Sequence, residues 1–180
     1  TYDYALGEDR SAIVKRMQAA MRQAITDAWD ERDDGLPIAS PEEMVILASI
    51  VEKETGLDGE RHKVAGVFIN RLRIGMKLQS DPTTIYAVTR GKGPLGRGLR
   101  RSELAKKDPY NTYHAAGLPP GPIANPGREA LMAVAQPEAT DALYFVADGT
   151  GGHAFSKTLA EHNRNVKKWR AIEKKRKAAH

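Results

Sequence analysis

Residues 40–56 constrain this chain more than any other stretch. Ser40-Pro41-Glu42-Glu43 combines an N-cap residue, a proline suited to the first helical position, and an acid three residues after the cap. That is a capping box, and it predicts a helix carrying Met44, Leu47, Ala48 and Val51 to a stop at Gly56. Two acids, Glu52 and Glu54, close this otherwise apolar helix. At helical spacing they point in different directions. Glu54 has Leu47, Ile50 and Val51 behind it on its own face, whereas Glu52 has Val45, Ala48 and Ser49, a smaller and more polar setting. Either both are surface charges at a helix end, or Glu54 is a carboxyl on an apolar face. In the second case loss of hydration raises its pKa toward the range of a general acid.

Elsewhere the pattern predicts more helix. Ile13, Met17, Ala20, Met21, Ala24, Ile25 and Ala28 mark a helix over about Asp9–Asp33, broken by Asp34-Gly35-Leu36-Pro37. Val64, Val67, Phe68 and Leu72 mark another over Arg61–Arg73, ended by Gly75. Asp81-Pro82 reads as an N-cap followed by proline, opening a short helix to Val88. Arg90–Arg101 reads as an exposed, mobile loop, and Asp108–Asn125, rich in proline and glycine, as irregular backbone fixed by packing or ligands. Asn125-Pro126 is expected to start a helix through Ala135. Leu143–Ala147, the turn Asp148–Gly152 and His153–Phe155 predict a hairpin, and a helix from about Lys157 carries a basic tail. The fold class is therefore α+β, mainly helical, with one small antiparallel hairpin. Three parts are expected: an N-terminal helix and linker (1–39), the main domain (40–165) and a basic C-terminal helix or tail (166–180).

Apolar content of 41% in 180 residues is enough for a packed core, and the absence of cysteine excludes disulfides and thiolate chemistry. No apolar run approaches the roughly 18–20 residues that span a bilayer. The chain opens on Thr1 rather than Met and reads as a fragment of a longer protein. The net charge of +5 suits an anionic partner, but much of the excess lies in Lys167, Lys168, Arg170 and Lys174–Lys177, where a solvated terminal helix is the plainer reading. Aromatic residues do not alternate with these charges, so no nucleic-acid partner is expected. Five scattered histidines without His-x-x-x-His spacing predict no metal site.

Beside Glu54 the candidate second carboxylate is Asp81, for which a helix-capping role competes. The distinction matters because glycoside hydrolysis ordinarily uses two carboxylates. Tyr110-Asn111-Thr112-Tyr113 offers rings and hydrogen-bonding groups suited to sugars, or else a packed loop whose Asn holds the backbone. Gln79 could reach a ligand amide, and His153, after a glycine-rich turn, is either structural or part of a site.

These segments together resemble the endolytic murein transglycosylases, the MltG or YceG-like family. The resemblance lies in Leu47–Thr55 (LASIVEKET), Val67–Met76 (VFINRLRIGM), Leu78–Thr83 (LQSDPT), Tyr110–Tyr113, Gly117–Ala124 (GLPPGPIA), Leu143–Gly149 (LYFVADG), Gly152–Phe155 and His162-Asn163. It implies a catalytic domain that cuts the MurNAc–GlcNAc β-1,4 bond within nascent peptidoglycan strands and limits their length. One Glu would protonate the leaving oxygen, and its carboxylate would then take the proton of the muramic acid 6-hydroxyl as a 1,6-anhydro ring closes. The family's acid falls on Glu54, with Thr55 beside it, and Thr55, Gln79, Asp81, Tyr110, Asn111, Thr112, Tyr113 and His153 become the expected substrate-binding residues. No cofactor is implied. Peptidoglycan strands and cell-wall synthases are the implied partners. Relatives are usually held at the periplasmic face of the cytoplasmic membrane by one N-terminal helix, and tend to carry a LysM-like subdomain before the catalytic region. A glycan-binding scaffold without activity and a hydrolase using Glu54 with Asp81 are the alternatives.

Overall fold

The computed structural model describes residues 3–178, the side chain of Lys177 excepted, so the termini of the first and last expected parts lie outside the described residues. Seven α-helices and one hairpin follow in the order α1 (Arg10–Asp30), α2 (Pro41–Glu54), α3 (Arg61–Arg73), α4 (Asp81–Thr89), α5 (Arg101–Leu104), α6 (Arg128–Ala135), β1 (Tyr144–Ala147), β2 (His153–Ser156) and α7 (Leu159–Ala178). A single 3-10 turn, Asp58–Glu60, leads into α3. The architecture is the expected α+β, mainly helical with one two-stranded antiparallel sheet.

Helix α2 is the central element. Met44, Leu47, Ala48, Ile50 and Val51 are all inaccessible to solvent, because α1, α3 and α6 pack around it and close one apolar core with Val64, Phe68, Leu131 and Val134. Burying the larger of these side chains stabilises each by about 1.5–3 kcal/mol. α1 contributes Ala28 directly and lays Met21, Ala24, Ile25 and Trp29 against the same core.

The ends of the helices depart from expectation in instructive ways. Ser40 caps α2 by accepting from the Glu43 N–H at 3.3 Å, but the Glu43 carboxylate reaches past the cap to the Ala39 N–H at 2.6 Å. α2 stops before Gly56: Thr55 is already extended, with φ −139°, so the chain leaves the helix directly after Glu54. Gly75, by contrast, takes φ +69° after α3, and the N–H of Met76 bonds back to the Arg71 carbonyl at 2.8 Å. Asp81 does not cap α4. It is the first helical residue, Ser80 is the flanking one, and the Asp81 carboxylate instead accepts from the Tyr113 hydroxyl. α6 begins at Arg128 rather than at Asn125, because the carboxylate of Glu52 takes the Gly127 N–H at 3.1 Å and sets the start there.

The hairpin pairs Tyr144 with Ser156 through Ala147 with His153. α7 opens on a reciprocal capping box, Thr158 with Glu161, and packs along both strands, running without a break past residue 165. The loop before α5 is mostly exposed and is tied at Arg90–Asp108 and Arg97–Glu103. The short helix α5 within this basic region carries no apolar periodicity from which it could be expected.

Candidate active site

Helix α2 ends where the hairpin, the start of α4 and the Asp108–Tyr113 segment converge. Between them lies an open cleft of about 420 Å³. Glu54, Arg71, Gln79 and Asp81 line one part of it; Tyr113, Tyr144, His153 and His162 line the rest with the β1 backbone. Its lining mixes carboxyls, a guanidinium, an amide and imidazoles with aromatic rings.

Glu54 sits with its carboxyl enclosed by protein while the residue keeps some surface toward the cleft. Its Oε1 accepts from the Ser80 hydroxyl at 2.5 Å. Burial pushes its pKa up to about 7, the Ser80 bond pulls the other way, and the Asp81 charge adds to the rise. A carboxyl poised near neutral pH is half loaded with a proton and can both give and take one. Glu52, two residues away on the opposite side, is engaged with Gly127 and contributes nothing to the cleft.

Of the residues expected to bind substrate, Gln79, Asp81, Tyr113 and His153 reach the cleft with Glu54; Thr55, Tyr110, Asn111 and Thr112 are not among its lining. Asp81 Oδ1 accepts from the Tyr113 hydroxyl at 2.6 Å; burial and then that bond push the phenol's pKa up, so it stays protonated. Gln79 holds a left-handed backbone, φ +49°, and its N–H bonds to the Thr112 carbonyl. Such strain in a non-glycine residue persists only where the surroundings fix it. His153 is held by Glu60, which accepts from the His153 N–H at 2.8 Å and contacts Nδ1 at 2.7 Å. Glu60 also receives the Thr55 hydroxyl at 3.5 Å. Thr55 therefore stands behind the cleft, its Oγ1 also accepting from the Leu57 N–H.

Asn111 is wholly buried. Its amide donates to the carbonyls of Leu104 and Lys106, and its oxygen accepts from the Thr84 hydroxyl and the Tyr113 N–H. Thr112 is equally buried and bridges Ser80 N–H and Thr83. These two fasten the segment that presents Tyr113. Tyr110 packs on Tyr86 with ring centroids 4.8 Å apart, under the Arg90 guanidinium.

The sequence assigns no role to four further groups of the site: Ser80, bonded to Glu54, and Arg71, Tyr144 and His162, which line the same cleft. All lie inside the segments that carry the family resemblance, but a serine beside a proline turn or an arginine on a helix gives no sign of facing a distant carboxyl. Among the described residues no group of three His, Asp or Glu side chains is placed to hold a metal ion.

A helix terminus that sets a desolvated carboxyl in an open polar and aromatic cleft is an arrangement able to give and take a proton near neutral pH. The family model of the YceG-like family matches residues 1–168, and the chain belongs to that family. The chain is 44% identical over 130 residues to an endolytic murein transglycosylase of Bacillus subtilis (strain 168), an alignment covering 72% of this chain and 35% of that protein. It is 33% identical over 173 residues to an endolytic murein transglycosylase of Streptococcus pneumoniae (strain D39), covering 92% of this chain and 30% of the other. The crystal structure of a YceG-like protein from Listeria monocytogenes superposes with a TM-score of 0.66 at 39% identity, over 81% of this chain and 44% of that one. The chain thus spans about a third of the length of these curated relatives.

Proposed function

We propose that this chain carries the catalytic centre of an endolytic murein transglycosylase, cutting the MurNAc–GlcNAc β-1,4 bond within nascent peptidoglycan strands and leaving 1,6-anhydroMurNAc ends. The observation that carries the reading is Glu54: an enclosed carboxyl, with a pKa pushed up to about 7, lining an open cleft of about 420 Å³. In the first step the Glu54 carboxyl gives its proton to the glycosidic oxygen as the C1–O bond breaks. The resulting carboxylate then accepts the proton of the muramic acid 6-hydroxyl while O6 bonds to C1. No water enters and Glu54 returns to its starting state.

Asp81 lines the same cleft, which supports a second reading as a hydrolase in which Asp81 assists the attack of water. Its carboxylate is already occupied by the Tyr113 hydroxyl, and this favours a positioning role. Mass spectrometry of digested strands separates the two. Anhydro-ended products, one water lighter than reducing-end products, are expected; reducing ends would replace the transglycosylase with the hydrolase, and intact strands would leave a glycan-binding scaffold. Action on peptidoglycan at the outer face of the cytoplasmic membrane, alongside cell-wall synthases, belongs to the same proposal. No helix among the described residues is long and apolar enough to cross a membrane.

A further inference from the structure

Arg71 is the one basic residue among the described residues that is buried, and it forms a wall of the cleft that holds Glu54. Its guanidinium is fixed from behind. Nε donates to the Leu143 carbonyl at 2.6 Å and Nη1 to the Leu78 carbonyl at 2.5 Å, tying the approach to β1 to the segment before α4. Nη2 makes no hydrogen bond to the described residues, and no carboxylate among them forms a close ion pair with the charge, although Glu54 lies near enough for the two to attract. The Tyr144 ring lies 5.5 Å from its Cζ.

The two carbonyl bonds explain why a long donor is needed at this position, but not why a cation is, and the attraction of Glu54 is lost whenever that carboxyl carries its proton. A neutral amide could meet carbonyls without the cost of burying an unpaired charge, which is several kcal/mol where no partner compensates. Arg71 lines the cleft, and Nη2 is the part of its fork left without a partner among the described residues. A planar guanidinium with free donors fits a carboxylate better than any other common anion on a sugar polymer.

We propose that Arg71 is the anion-recognising residue of this cleft, binding a carboxylate borne by the glycan strand beside the bond that Glu54 cleaves. The inference rests on the function proposed above. On muramic acid the carboxylate has two sources: the lactyl group where the peptide stem has been removed, and the stem itself where it is present. The geometry of the fork suits both.

Binding of defined strands to the Glu54→Gln protein tests this without turnover. The strands carry stems or lack them, and each kind is compared with a copy whose carboxyls have been converted to amides. The measurement is made in about 0.5 M salt, which screens exposed charges within about 5 Å, and at about pH 8, where imidazoles are ordinarily neutral. Amidation is expected to weaken binding roughly tenfold or more. An effect confined to stem-free strands identifies the lactyl carboxylate, and one confined to stem-bearing strands identifies the peptide. Adding Arg71→Gln, which keeps a donor for the carbonyls, is expected to erase the difference. Equal binding of charged and amidated strands overturns the proposal, as does discrimination that survives in the folded Arg71→Gln variant. If that variant does not fold, the high-salt comparison with Arg71 in place decides alone. The unmutated protein is assayed for cleavage in parallel. Charge-dependent binding without cleavage would sink the proposed function and keep the Arg71 site, whereas cleavage with charge-blind binding would sink only the Arg71 site.

Discussion

The hydroxyl of Ser80 donates to Oε1 of Glu54 across 2.5 Å, joining the residue that precedes α4 to the last residue of α2. This bond favours the carboxylate and opposes the effect of burial. Ser80→Ala is therefore expected to raise the Glu54 pKa further and move the alkaline limb of kcat/KM to higher pH. It should also lower kcat about tenfold through lost orientation, with Ser80→Thr restoring both. An alkaline limb that stays in place would show that Ser80 does not tune the acid.

Glu54→Gln should reduce cleavage by roughly 10²–10⁴-fold, the usual contribution of a general acid. It should also change how stability depends on pH. The folded-state pKa, about 7, lies above the ordinary 4.5, so the native state binds more protons than the unfolded chain between those values. Stability from this group falls as pH rises through that window, by up to about 3 kcal/mol. Gln carries no such penalty, so the variant should unfold at a higher temperature than the parent at pH 8 and show little advantage at pH 4. Parallel melting curves at both ends of the window are the check.

Asn111→Ala should behave as a folding mutation with a catalytic consequence. It strands the Leu104 and Lys106 carbonyls, the Thr84 hydroxyl and the Tyr113 N–H, and is expected to cost about 3 kcal/mol or more. Tyr113→Phe removes only the hydroxyl bonded to Asp81 and should leave the melting temperature nearly unchanged while activity drops. If Asn111→Ala melted like the parent, its place as the fastener of this segment would have to be abandoned.

Gly66→Ala pits helix propensity against packing. Alanine favours a helix interior over glycine by about 1 kcal/mol. At Gly66, however, a Cβ would meet the Glu138 carbonyl at 2.5 Å, on a segment anchored by the Glu138 N–H to His62. Overpacking of fixed backbone, about 1–3 kcal/mol, should win, and denaturant midpoints should show net destabilisation.

Much of the framework could be read from local pattern. The cap at Ser40, the Gly75 stop, the bounds of α3 and the hairpin all depend on neighbours in sequence, and each appears within a residue or two of its expected place. The errors arise where a distant group competes for a terminus. Asp81 leaves its cap for Tyr113, thirty-two residues on, and Glu52 fixes the start of α6 across seventy-five residues. The same holds at the site. The apolar face that sets Glu54 apart from Glu52 is a property of one helix, so it was legible. Ser80 and Arg71 act through contacts that no spacing encodes. Local sequence leaves both roles open for Asn111, and only its bonds to carbonyls such as that of Lys106, five residues back, show it holding the backbone.

The abrupt end of α2 has one more effect. Because Thr55 turns away from helical geometry at once, Glu54 stands at the carboxyl terminus of a fourteen-residue helix. The aligned peptide dipoles of such a helix sum to roughly half a negative charge at that end. Their field repels a second negative charge and favours the protonated carboxyl. Part of what loads the acid is thus the backbone itself, a contribution that no substitution in the cleft wall can remove and that endures while α2 keeps its length and its stopping point.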